Sequence, residues 1–268
     1  MSSCSKGEWR FASETPPEAP ALFRKPLTVH GEWIAGTGLL FDFPLLVSLQ
    51  DPELRTIAAG GGVSSESAGD LRFRWNDGRL LPAEIERYDG ATGRLEAWVS
   101  VPELIPGSDA DLDLVYGASS PPGPPATEVW DEYAGVWHFS DPLPPGPADS
   151  TVGAHDAQSI DGSPAAADGR VGGSLQFDGL DDRIGVTDPS DGSLDFGTGS
   201  FTFSAWLLST GSVGTADMAM SKGTTSSNPG FAFYLGTGNW EAGVRDGSTS
   251  VYVPFGPEAD FLGRWSFV

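Results

Sequence analysis

Three aspartates, Asp178, Asp181 and Asp182, crowd one short turn (residues 178–183, DGLDDR). Hard carboxylate oxygens at that density are what calcium needs, with backbone carbonyls completing six to eight oxygen ligands. The plainer alternative has Asp178 and Gly179 making the turn, Asp181 and Asp182 solvated, and Arg183 neutralising one of them. A second constellation joins Asn239, Trp240, Arg245 and Asp246. An indole exposed after the Gly238–Asn239 turn would stack on pyranose C–H groups, with Asn239, Arg245 and Asp246 holding the hydroxyls. Trp206 and Trp265 lie in strands with apolar residues on both faces and are expected between sheets.

Other candidates read as structure. Glu84 and Glu86 fall on one side of a strand, the arrangement of a glycosidase nucleophile and acid. The later half of the chain, however, has no Glu-x-Asp-x-x-Glu run, and a solvated strand face accounts for both residues. Asp109, Asp111 and Asp113 mimic the start of an EF-hand, but Leu114 and Ser120 stand where the loop needs Gly and Glu. With Ala110, Leu112, Leu114 and Tyr116 alternating against the acids, an amphipathic strand is expected. His30, His138 and His155 are too scattered for a zinc cluster. His155 adjoins Asp156, yet no Gly-x-Ser-x-Gly elbow or Walker loop accompanies it.

These groups must be carried by strands. Gly (36) and Pro (22) exceed a fifth of the 268 residues, which interrupts helices and favours short strands joined by turns. Fifteen basic against 37 acidic residues give a net charge of −22, which repels phosphate backbones and anionic bilayers. Nucleic acid is therefore not an expected partner. Cys4 stands alone, excluding an intrachain disulfide or a cysteine metal cage. No apolar run approaches the roughly 20 residues of a membrane span, so insertion by this chain is not expected, and residues 1–11 lack the apolar core of a signal peptide.

The alternation predicts strands at 45–49, 71–75, 84–88, 95–101 and 112–116, then at 201–208, 216–221, 231–235, 239–245 and 251–255. A short helix is expected from Asp51, with Pro52 at its first position, Glu53 in its first turn and Gly60 ending it. Clustered prolines at 119–125 (SSPPGPP) predict a linker. The expected organisation is a lead-in at 1–20, a β-domain at 21–117, a linker at 118–128 and a second β-domain at 129–268.

Six ordered blocks, RKPLTV (24–29), DFPLLVSL (42–49), DLRF (70–73), DGRLLPAEIERYD (77–89), AWVSVP (97–102) and LVYG (114–117), resemble the bacterial family called domain of unknown function 2341. That family is associated with envelope and surface proteins and has no established activity. Residues 173–178 (GSLQFD), 179–183 (GLDDR), 193–199 (SLDFGTG), 200–206 (SFTFSAW) and 263–268 (GRWSFV) resemble the laminin G-like, concanavalin A-like jelly-roll family. The resemblance implies a C-terminally truncated antiparallel sandwich, with calcium frequent at its rim. Together these resemblances imply an all-β, non-catalytic recognition module outside the cell or in its envelope, binding glycans. An adhesion or spacer segment that binds a surface protein is the alternative, and a glycosidase comes third.

Overall fold

The computed structural model describes residues 22–117, 123–197, 199–211, 217–223, 230–235, 238–246 and 248–268. The protein is all-β: antiparallel strands carry the fold, and the helical elements among the described residues are short 3-10 turns. Two compact units meet between Pro124 and Pro125, inside the Pro-rich stretch.

The first unit contains β1 (Phe23–Val29), β2 (Leu40–Gln50), β3 (Arg72–Trp75), β4 (Leu80–Leu81), β5 (Ala83–Asp89), β6 (Arg94–Leu104) and β7 (Ala110–Tyr116). They form two antiparallel sheets, ordered β1-β7-β3-β4 and β2-β6-β5. Period-two alternation puts Leu95, Ala97, Val99 and Val101 of β6 on one face, and all four are fully buried. Leu112 and Leu114 of β7, Phe73 of β3 and Leu81 of β4 meet them in one core, which Leu54 and Val63 fill from the connections. Burying these side chains contributes roughly 1.5–3 kcal/mol each relative to exposure. The acids of β7 turn the other way: Thr28 Oγ1 donates to Asp111 at 2.7 Å, and Arg24 pairs with Asp113 at 2.8 Å. The EF-hand-like run is thus an amphipathic strand, as its alternation predicts.

The short helix expected after Asp51 is instead two 3-10 turns, Pro52–Leu54 and Ile57–Ala59. Asp51 does cap the first, accepting from Glu53 N at 2.9 Å, and Gly60 ends the second in the left-handed region. Between them Arg55 and Thr56 are extended, because Thr56 N donates to Gly90 O at 2.9 Å rather than to a helical carbonyl. The β5–β6 turn fits against this segment only through Gly93, where a Cβ would lie 2.0 Å from Asp51 O.

Asp70 closes the unit. Its buried carboxylate accepts from Ser64 N (2.8 Å), Ser64 Oγ (2.7 Å), Ser65 N (3.1 Å) and Gly117 N (2.9 Å), tying the 64–70 loop to the end of β7. Burial by itself would raise the Asp70 pKa, but these donors, led by the Ser64 amide and hydroxyl, hold it below the usual carboxylate range.

The second unit contains β8 (Ala157–Asp161), β9 (Ala165–Asp168), β10 (Gly173–Gln176), β11 (Arg183–Val186), β12 (Trp206–Leu208), β13 (Asp217–Lys222), β14 (Gly230–Leu235), β15 (Asn239–Arg245), β16 (Ser250–Pro257) and β17 (Trp265–Phe267). β13-β14-β15-β16 form an antiparallel meander, while β8–β11, β9–β10 and β12–β17 pair two by two. The core joins the meander to β12–β17: Phe233 and Trp240 pack with Phe203, Leu207, Phe261 and Val268. β8 and β9 are made mostly of Ala, Ser, Gln and Asp, so local preference gives little strand signal there, and β11 has only Ile184 and Val186 to mark a four-residue strand. The strand expected over 201–208 is regular only at its C-terminal end.

Two predictions follow from Asp70. Replacing it with alanine leaves buried N–H donors without an acceptor and should destabilise the first unit by about 2–3 kcal/mol, readable by urea unfolding. Because the folded-state pKa lies below the unfolded one, its contribution is complete above about pH 4. It should disappear as pH falls through the depressed value, and an Asp70→Asn variant should show a flatter acid limb.

Candidate functional site

The acidic turn is internally bonded. Asp178 Oδ1 accepts from Leu180 N at 2.8 Å and Asp181 N at 3.4 Å. Asp182 accepts from Asp178 N at 2.8 Å and from Ser163 N at 2.5 Å. Carboxylate oxygens of Asp178, Asp181 and Asp182 lie within 4.8 Å of one another, a hard-oxygen set of the kind calcium takes. Arg183 does not neutralise its own turn; it pairs across the strands with Asp161, at 2.9 Å through Nε and 2.5 Å through Nη2.

The β15 hairpin divides the four residues expected to contact a ligand. Trp240 is 6% exposed, not a surface platform. Its ring stacks on Phe233 at 5.3 Å and 15°, with Phe261 at its edge 6.2 Å away. The strand phase decides this: Trp240 alternates to the face that also carries Phe233, where the core is. Its buried indole N–H finds no acceptor among the described residues. Asp246 has a structural task as well, accepting from Ser248 N (2.8 Å), Ser248 Oγ (2.9 Å) and Thr249 N (2.7 Å) to close the β15–β16 turn. The Thr249 and Ser248 amides hold its carboxyl below the usual range. Asn239 is half-buried at the start of β15.

Arg245 points to the opposite face, where it joins residues the sequence reading missed. Tyr252 of β16 is 48% exposed and lies across Gly243, whose hypothetical Cβ would sit 2.6 Å from the ring. Arg245 Nε donates to Ser250 Oγ at 2.8 Å, and its Nη2 reaches Tyr252 Oη at 3.4 Å. Tyr234 stands edge-on to Tyr252, with centroids 5.8 Å apart, and donates from Oη to Glu241 at 2.8 Å. Burial first, and Glu241 second, push the Tyr234 phenol up to about 12. Tyr252 shifts the other way, through Ser250 first and then Arg245. The result is an aromatic floor edged by a guanidinium and a carboxylate. Alternation of Glu241, Gly243 and Arg245 against Ser250 and Tyr252 is visible in the sequence, but their register is not.

Trp206 also reverses expectation. Leu207 takes the inward position of β12, so Trp206 and Leu208 face outward and are 40% and 38% exposed. Trp206 pairs with Phe267, ring centroids 5.2 Å apart, and Arg170 lies over its indole. Trp265 is half-buried, not enclosed.

Elsewhere, His155 Nε2 lies 2.9 Å from Ser193 Oγ. Asp149 anchors this histidine by accepting from His155 N at 2.9 Å and from Val136 N at 2.8 Å. The Ser193 amide also donates to Asp191 at 2.9 Å, and its amide and hydroxyl lower that carboxyl's pKa. Lys222 holds the same loop through Asp188 at 2.7 Å and through Asp195. This contact joins two loops beside an open cleft of about 320 Å³ lined by His155, Asp156, Gln158, Thr187 and Asp188. In the first unit Glu84 lies opposite Trp98, and Glu86 accepts from the Trp98 indole at 3.4 Å, beside a register shift. Both glutamates are engaged in contacts with their surroundings.

Comparison of the chain with protein-family models, with curated proteins and with solved structures finds no match.

The two faces of the hairpin make opposite demands on stability. Trp240→Ala should cost about 3–5 kcal/mol by emptying a packed aromatic site. Tyr252→Ala should cost under about 1 kcal/mol because that ring is already half in water. Near-ultraviolet circular-dichroism melts of the two variants should separate them.

Proposed function

We propose that this protein is a non-catalytic recognition module, acting outside the cell or in its envelope, whose second unit binds glycans. The observation that supports this reading best is the preformed face of Tyr252, Tyr234, Arg245 and Glu241. Tyr252 offers one ring face to solvent, and the glycine beneath it lets the ring lie against the sheet. Sugar C–H groups stack on such a ring, while Arg245 and Glu241 supply a donor fork and an acceptor at its edge. The contacts that orient these side chains exist before any ligand arrives, which limits the ordering cost of binding. The resemblance to laminin G-like domains, preceded by a domain of unknown function 2341, gives the same reading independent support.

The opposite face of the meander favours a second reading. Val244, Val251 and Val253 are 45%, 54% and 58% exposed, and Ala242 is exposed beside them. An apolar strip of this kind fits an adhesion or spacer segment that pairs with a surface protein. Calcium at Asp178, Asp181 and Asp182 would serve either reading by stiffening the turn.

A glycan array should identify a saccharide whose affinity falls about tenfold in Tyr252→Ala and in Arg245→Ala with the melting transition unchanged. Retention of full affinity in both variants would move recognition away from this face. Calcium at one hundred times its dissociation constant should stabilise the second unit by about 2.7 kcal/mol, and a transition indifferent to calcium and chelator would remove the metal from the proposal.

A further inference from the structure

In a chain of net charge −22, basic groups are expected to sit against carboxylates. Arg24, Lys25, Arg94, Arg183 and Lys222 do. Arg170 does not: among the described residues no carboxylate comes within ion-pairing distance. Its guanidinium instead lies over the Trp206 ring, Cζ 5.6 Å from the centroid. A guanidinium held over a ring by charge–quadrupole attraction keeps N–H donors that a further partner can take. Its donor fork matches a carboxylate in two parallel hydrogen bonds. Phe267, 63% exposed, and Leu208 continue the apolar floor beside it.

We infer that Arg170, Trp206 and Phe267 form a second binding site, selective for a carboxylate-bearing saccharide of the uronic acid class. The sugar ring rests on Phe267 and the exposed part of Trp206, and its carboxylate takes the Arg170 fork. Charge complementarity selects this ligand over a neutral sugar, since an exposed cation on an apolar floor, with no carboxylate partner among the described residues, gains most from an anion. The acidic chain opposes anions at long range, but at physiological salt that field is screened beyond about 8 Å, so the local contact governs selectivity. The inference rests on the glycan-binding reading but concerns a different sheet from the tyrosine face, so the two can fail separately.

Calorimetric titration of the full chain with short oligosaccharides of galacturonate, glucuronate and mannuronate, and with their methyl esters, tests it. The expected result is that at least one acid binds about tenfold or more tightly than its ester. Arg170→Gln should abolish that difference, leave ester binding unchanged and leave the melting transition in place, and Tyr252→Ala should preserve the difference. Equal binding of acid and ester, or a preference that survives Arg170→Gln, would overturn the inference. So would oligoglutamate competing as well as the uronate, which would make the ligand an acidic peptide. Neutral glycans binding while no uronate does would overturn this site and leave the proposed function standing, whereas no saccharide binding of either kind would overturn both.

Discussion

A peptide N–H that leaves water without finding an acceptor costs about 1–3 kcal/mol, and a chain this rich in Gly and Pro has long stretches with no β-ladder to supply one. Two buried carboxylates meet that need. Asp70 gathers the 64–70 loop and the end of β7, and Asp149 gathers amides from Val136, Thr151 and His155. Each does what a strand partner would do elsewhere. The 136–156 segment contains no regular strand, and Asp149 together with the Trp137 indole, which donates to His155 O at 2.9 Å, gives it a defined path.

The same economy explains where the acidic charge goes. Asp51, Asp89, Asp178, Asp182 and Asp246 each accept backbone amides at a turn. Part of the acidity thus serves turn chemistry, beside a solvated negative surface. This bears on metal binding, because Asp178 and Asp182 already serve the backbone and a cation would have to share them. It also makes the surroundings of the arginines informative: Arg94 and Arg183 meet carboxylates, whereas Arg170 and Arg245 lie beside aromatic rings.

The two units differ in how their cores are built. The first encloses one continuous core between its sheets, and its central strand β6 is buried on both faces. The second has a smaller core at one end of its meander, leaving Val244, Val251, Trp206 and Phe267 exposed. Exposed large apolar side chains occur on the first unit as well, Trp33 and Phe41 among them, and the proposed glycan and adhesion surfaces use those of the second unit.

The sequence by itself determined the all-β class, because Gly and Pro recur too often for long helices and the apolar residues alternate in twos. It also determined the amphipathic β7, where Asp111 and Asp113 alternate with Leu112, Leu114 and Tyr116, and the Asp-capped turn at Asp51, since both depend on near neighbours in the chain. Only the tertiary structure decided which face of each strand meets the core. The sequence places Trp240 after a turn, as if exposed, and Trp206 among apolar neighbours, as if enclosed, yet Trp240 lies buried against Phe233 and Trp206 lies beside Phe267 in water. A shift of one residue in register exchanges the two faces of a strand, and register is set by residues distant in the chain. The pairing of Tyr252 with Gly243, and of Arg170 with Trp206, was hidden for the same reason: each joins residues from separate strands or loops, and no local spacing encodes their meeting.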